Sequence, residues 1–366
     1  MFRPVQKFSP AGAAGQAKRL VACESGSMMP IMVLMTIPLL LGIGFSVDYT
    51  SAVTTRSGMQ NALDAAIVSI TTMPTTTSFG DRQTALQQAY AANGGPGTAL
   101  LASVNVDSFG TASFGATASY AMPTDFMQIA RINSVQVGVG SAVRKTPALV
   151  QTTFKLSKVS GYWAKTMTLY GTKFGDTTAK PLMTISYTYN GAGDPKGYGT
   201  TTVSTVNGST STVVQKQVCT TDTLKNLQKK LPAGSVIQTD SYGTTYSCAD
   251  TFYPANGAGA VIDVSTMNNL YLEMDVPSGN PKVLKSNDPT TSNRLYIGTS
   301  STNMPEVATG QNVDIFTSVP CGQTGYQAWE DGGNAVPAPV SNADFFYTVQ
   351  GKCDYNQRPS DTVLTQ

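Results

Sequence analysis

Met28 to Val47, MMPIMVLMTIPLLLGIGFSV, runs twenty residues without a charged side chain. At 1.5 Å per residue a helix of that length covers roughly 30 Å, the thickness of a bilayer's hydrocarbon core. Pro30 stands near its start, where a missing N–H costs little, and Pro38 stands mid-span, where it favours a kink. A core helix of a soluble protein seldom runs so long without polarity. The apolar stretch of a cleaved signal is shorter and ends at an A-x-A-like site, whereas this one ends Phe45-Ser46-Val47-Asp48-Tyr49. The expectation is a retained transmembrane helix. Arg3, Lys7, Lys18 and Arg19 precede it against Glu24; Asp48 and then Arg56 follow. The positive-inside rule puts residues 1–27 in the cytoplasm and everything from Asp48 on the other side, a single-pass signal anchor.

Composition narrows the rest. The 366 residues have room for two modest domains or one large one, at roughly 150 residues each. Charged residues make up 13% of the chain, against about 25% in an ordinary soluble domain. A net charge of +2, spread evenly, is too small to suggest a nucleic-acid binder. There is no histidine. That removes Ser-His-Asp and Cys-His mechanisms, His-ligated zinc and haem, and the usual near-neutral acid or base. The expectation is no enzyme, no cofactor and no small-molecule substrate. With 34 Gly and 20 Pro the chain could be low-complexity, but 41% hydrophobic and 8% aromatic residues favour a β-rich exported fold surfaced with Thr, Ser and Asn.

The cysteines agree with that topology. Cys23 falls on the reducing side of the span; Cys219, Cys248, Cys321 and Cys353 fall on the other, an even set with no C-x-x-C spacing for zinc. Two disulfides are expected in an oxidising compartment. Of three possible pairings, local closure favours Cys219–Cys248 and Cys321–Cys353, each worth about 3–4 kcal/mol on the chain-entropy model.

Beyond Asp48 the pattern stays helical through Val53, Gln60, Leu63, Ile67 and Ile70, ending near Met73-Pro74. A second helix fits Asp81 to Asn93, capped by Asp81 and stopped at Gly94-Gly95-Pro96-Gly97. Strands are expected at 102–106, 116–121 and 135–139, with a short helical piece at 126–129. In order, Glu24 with Gly26 and Ser27, a span holding Pro38, Gly44-x-x-Val47-Asp48-Tyr49, Arg56 with Met59-Gln60-Asn61-Ala62-Leu63-Asp64-Ala65-Ala66, Asn93, and Pro123-Thr124-Asp125-Phe126-Met127 make up a recognisable series. Residues 19–145 thereby resemble the TadE/TadG-like proteins of Flp (tight adherence) pilus assembly.

That resemblance implies a transmembrane helix continuing into a pilin-like helix packed on a small antiparallel sheet. It also implies an inner-membrane location and partners among pseudopilins and platform proteins. Gln60 and Asp64, four apart on one face, could bond neighbouring chains or their own sheet, although such pairs are more often ordinary solvated helix surface; Gly42, Gly44 and Ala62 would permit close helix packing. The glycine a prepilin peptidase would cut after is missing, Arg19 standing there ahead of Leu20, so the tail is expected to stay. No G-x-x-x-x-G-K-[ST] loop is present, so this is not the pilus ATPase.

From Thr146 on, alternation dominates at 165–170, 182–189 and 199–206, with Asn190-Gly191 and Asn207-Gly208 as turns. Thr200 to Thr212 is the stretch closest to a disordered stalk. A short helix fits 222–231, and strands are expected at 260–264, 270–276, 294–297, 313–317 and 345–349. The fold class is thus α+β, with a mostly β, sandwich-like, disulfide-bonded ectodomain. Its expected divisions are 1–27 tail, 28–47 span, 48–145 pilin-like domain, 146–216 Thr/Ser/Gly-rich β region and 217–366 four-cysteine region. Asp263-Val264-Ser265-Thr266-Met267 resembles the start of an adhesion-type metal motif, but Met267 replaces the second serine, so strand-end roles fit better. Glu330-Asp331 with Gly332-Gly333-Asn334, and Asp288 near Asn287 and Asn293, lack calcium-loop spacing and read as turns. Trp329, Tyr326, Phe345, Phe346 and Tyr347 could form a binding face of an adhesin-like ectodomain, or core packing.

Overall fold

The computed structural model describes residues 29–192, 197–332 and 337–365. The basic tail, Cys23, the Glu24 region with its missing glycine, Met28 and Gly333-Asn334 lie outside the described residues. The chain divides into two compact units: one takes residues up to 66 with 86–100 and 116–141, the other 67–85, 101–115 and everything from 142.

One continuous helix of 42 residues, α1 (Met29–Ile70), runs through Pro38. It is long and apolar enough to cross a membrane. From Met29 to Val47 its large apolar side chains are exposed, while Met59, Ala62, Leu63, Ala66, Ile67 and Ile70 are buried at helical spacing. The hydroxyl of Thr36, inside the apolar stretch, donates to Met32 O, so its own helix satisfies it. Helix α2 (Phe79–Ala92) starts three residues earlier than Asp81 would suggest, counting from the cap. Ser78 Oγ accepts the Asp81 N–H and donates to the Asp81 carboxylate, so Ser78 is the cap and Asp81 its reciprocal partner. The helix stops where Gly94 adopts φ +80°, with Gly94 N–H bonded to Ala91 O and Gly95 N–H to Tyr90 O. Strands β1 (Thr98–Val106), β2 (Ala112–Pro123) and β3 (Ser134–Lys145) follow.

Residues 148–354 supply two further sheets. The strands are β4 (Ala148–Val159), β5 (Lys165–Lys173), β6 (Lys180–Ala192), β7 (Tyr198–Asn207), β8 (Thr210–Thr221), β9 (Gln238–Thr239) and β10 (Thr245–Phe252), then β11 (Ala260–Asp263), β12 (Met267–Asp275), β13 (Val283–Lys285), β14 (Leu295–Gly298), β15 (Thr324–Trp329) and β16 (Phe345–Asp354). Eight of them order as β13-β12-β5-β6-β7-β8-β10-β9, and five as β11-β4-β16-β15-β14. Inward side chains of both, among them Phe154, Leu156, Met167, Leu169, Ile185, Leu272, Trp329 and Phe345, form one core. That is sandwich packing, as the alternation implies. Gln215 on β8 exchanges two hydrogen bonds with the backbone of Leu156 on β4, tying the sheets by polar contacts as well. Finally β17 (Thr362–Leu364) returns to pair antiparallel with β3, giving a sheet of order β1-β2-β3-β17.

Several expected boundaries give way. A division after residue 216 would cut β8 in the middle of its pairing with β10. The pilin-like sheet is not confined to 48–145, because its fourth strand comes from 362–364. Thr200–Thr212 is no stalk: it is a hairpin with Asn207 opposite Thr210, and Gly208 at φ +62° supplies the turn. Asn190-Gly191 lies within β6, at an irregularity in its pairing with β7, rather than in a turn. Residues 315–317, expected within a strand at 313–317, belong instead to the short helix α4 (Ile315–Ser318), after α3 (Leu224–Lys230); Asp314 accepts the Phe316 N–H and caps it.

Candidate functional site

Asp48 sits at the end of the apolar stretch, yet it is buried. Its carboxylate accepts three consecutive main-chain N–H groups, from Asp125 at 3.0 Å, Phe126 at 3.0 Å and Met127 at 2.7 Å. These amides open the 3-10 turn Met127–Ala130, whose exit residue, Arg131, holds a left-handed φ of 62°. An anion on the first amides of a helical turn meets both their hydrogen bonds and their partial positive charge. Asp48 therefore clasps the β2–β3 loop to α1. Gly44, one turn earlier, is built for the same loop: a Cβ there would lie 2.4 Å from the Phe126 Cβ.

Further along α1, the Gln60 amide donates to Asp64 at 2.8 Å and to Gly140 O on β3 at 2.9 Å. Of the readings open to this pair, the structure shows Gln60 bonding to its own sheet, with Asp64 as its helix neighbour. Ala62, expected to receive a partner helix, is buried in its own unit. Gly42 has open space around it, and Tyr49 is exposed, stacked on Phe45. Pro38 lies in the exposed apolar stretch.

The foot of α1 has no basic residue in its last turn. Two buried cations from elsewhere take that place. Arg82 donates to Ile70 O at 2.7 Å and to Pro74 O at 2.6 Å. Lys145, at the end of β3, donates to Thr71 O at 2.8 Å and Asn356 O at 2.7 Å. Both stand over the Tyr355 ring, which meets Phe114 edge-on. Cations at a helix C-terminus complement its unpaired carbonyls. Burial, with Arg82 close by, pulls the Lys145 ammonium down to about 8.

A model of one family, described as "Putative Flp pilus-assembly TadE/G-like", matches residues 26–69. This segment resembles the TadE/G-like family. The resemblance holds over that stretch, which covers α1 almost end to end and supports a part in Flp, or tight-adherence, pilus assembly. Neither a curated protein nor a solved structure matches the chain.

Past the TadE/G-like segment, the structure joins Cys219 to Cys248 across β8 and β10, and Cys321 to Cys353. Asp263 ends β11 and accepts the Ser265 N–H, a local turn. Asp288 does the same for Thr290. Trp329, Phe345 and Tyr347 are core residues, so they do not form an exposed aromatic face. Glu330-Asp331 is not the turn expected: both residues are buried, and Asp331 meets the ammonium of Lys165 at 2.6 Å. Local spacing could not reveal it, because the partner lies 166 residues away. The Asp48 clasp had a signal, since Asp48 and the Pro123–Met127 block both belong to the resemblance. Arg82 and Lys145 had none.

Proposed function

We propose that this protein is a membrane-anchored, non-catalytic component of a Flp-type pilus assembly or its secretion machinery. Residues 1–27 lie in the cytoplasm, α1 crosses the inner membrane by its Met29–Val47 stretch, and the β-rich region works in the periplasm or outside the cell. The observation that carries this reading is the coincidence of the TadE/G-like match with a helix of two characters. Its first part exposes apolar side chains, as a bilayer requires. Its second part buries Asp48 and one face from Met59 to Ile70, and is held by Asp48, Gln60 and the cations at its foot. Pseudopilins and platform proteins are the partners this reading implies, meeting the exposed stretch within the bilayer, where Gly42 leaves room for close approach.

Leu39→Lys tests it. A lysine at mid-span costs about 2.5–3.5 kcal/mol of insertion, so the variant should leave the membrane fraction and pili should be lost with it. Cys23 should react with a membrane-impermeant thiol reagent only after the membrane is opened. Normal piliation in a strain lacking the gene overturns the reading.

A further inference from the structure

Lys165 opens β5 in the eight-stranded sheet, and its side chain is fully shielded from solvent. Its Nζ lies 2.6 Å from Asp331 Oδ2, 3.2 Å from Asp344 Oδ2 and 3.1 Å from Ser160 O. Asp331 stands two residues past the end of β15 and Asp344 just before β16, both in the five-stranded sheet. The Tyr187 ring lies 5.7 Å from Nζ, and its hydroxyl donates to Gly161 O. Gly161 closes the pocket: its φ is +107°, and a Cβ there would lie 2.9 Å from both Nζ and Asp344 Oδ2. Carboxylate oxygens of Glu330, Asp331 and Asp344 come within 4.8 Å of one another, close enough for a metal ion, but the ammonium already meets two of them, Asp331 and Asp344.

An amine, a carboxyl and a second carboxyl are thus held in contact in a dry site. We propose that Lys165 and Asp331 condense into an intramolecular amide crosslink, with Asp344 carrying the proton. Lys165 Nζ passes a proton to Asp344, and the neutral amine attacks Asp331 Cγ. A C–O bond of the tetrahedral adduct then breaks, and the oxygen leaves as water with protons delivered through Asp344. Overall, one ammonium and one carboxylate become one amide and one water, so charge and atoms balance without oxidant or co-reactant. Proximity favours the step, since well-oriented intramolecular partners reach effective concentrations of about 10⁵–10⁸ M. Desolvation favours it too, because the amide replaces a buried ion pair whose solvation was lost. Burial, together with Asp344, pushes the Asp331 carboxyl up against the pull of Lys165, toward the protonated form that accepts a nucleophile. The product would join the two sheets of the sandwich covalently, a tie suited to bearing load.

The test is mass spectrometry of the full-length protein purified from membranes, with disulfides reduced. The expected result is an intact mass lighter by one water than the sequence, and a branched tryptic peptide joining the Lys165 and Asp331 fragments. Lys165→Arg and Asp331→Ala should restore the full mass, and Asp344→Asn should restore it while keeping both reacting groups. Asp331→Asn should still give the branched peptide, with ammonia leaving in place of water. An uncondensed wild-type mass overturns the proposal. So does loss of water without a branch, which would mark imide formation at Asp331-Gly332. The wild-type branch is decisive even if a variant fails to fold.

Discussion

Lys145 and Lys165 are both withdrawn completely from solvent, in different surroundings. Lys145 closes the foot of α1, and its two acceptors are main-chain carbonyls, Thr71 O and Asn356 O. Burial, with the like charge of Arg82, pulls its ammonium down to about 8. Lys165 lies between the sandwich sheets against two carboxylates. A buried ammonium can thus be held by the partial charge of a helix end or by full charges. In the first case it can lose its proton and still donate a hydrogen bond. In the second its loss strands the carboxylates. The same residue type is a cap in one region and half of a reactive pair in the other.

The largest effect should follow from breaking the charged site. Lys165→Ala leaves Asp331 and Asp344 buried without the ammonium they face, and removing one partner of a buried pair costs about 3–5 kcal/mol. Loss of an amide crosslink would add to it. Thermal unfolding of the detergent-solubilised protein should show the fall. Replacing Lys165 by Met together with Asp331 and Asp344 by Leu should recover much of it, because the ammonium and the two carboxylates it meets are then removed together. If Lys165→Ala costs no more than the same change at Lys145, the contrast between the two sites collapses.

These two sites also show where sequence reasoning reaches its limit. α1 was legible because period and apolarity are local: Met28–Val47 announces lipid, and the spacing from Met59 to Ile70 announces a buried face. The Asn207-Gly208 turn was legible for the same reason, and the sandwich from alternation. Strand β4 was missed, since Thr152 and Thr153 interrupt its alternation although Thr152 is buried. Lys145 and Lys165 both fall on inward strand positions. Little that is local separates them from ordinary solvated lysines, because Thr71 and Asp331, which they meet, are 74 and 166 residues away.

A middling effect is expected at the neutral site. Lys145→Met removes the donor from two buried carbonyls, a loss of about 1–3 kcal/mol. Its pH dependence separates it from Lys165. Lys145 titrates at about 8 in the folded protein and near 10.5 when unfolded. Between those values the unfolded chain binds more protons, so this residue's contribution to stability rises with pH. The melting-temperature gap between wild type and Lys145→Met should therefore widen from pH 7.5 to about 10. A constant gap would mean that Lys145 keeps its ordinary affinity for a proton.

The smallest effect sets the floor of the comparison. Lys285 on β13 lies opposite Glu273 on β12, with Nζ 3.0 Å from the carboxylate. The distance resembles those at Lys165, but the two side chains are 42% and 22% exposed. The hydrogen bond to Glu273 raises the Lys285 ammonium above its usual range. Water nevertheless solvates both charges when they part, and exposed pairs of this kind contribute about 0.2–1 kcal/mol. Lys285→Ala should stay within that range, and the small loss should fade further in high salt. A loss as large as that of Lys145→Met would show that contact distance, rather than removal from water, ranks the lysines of this protein.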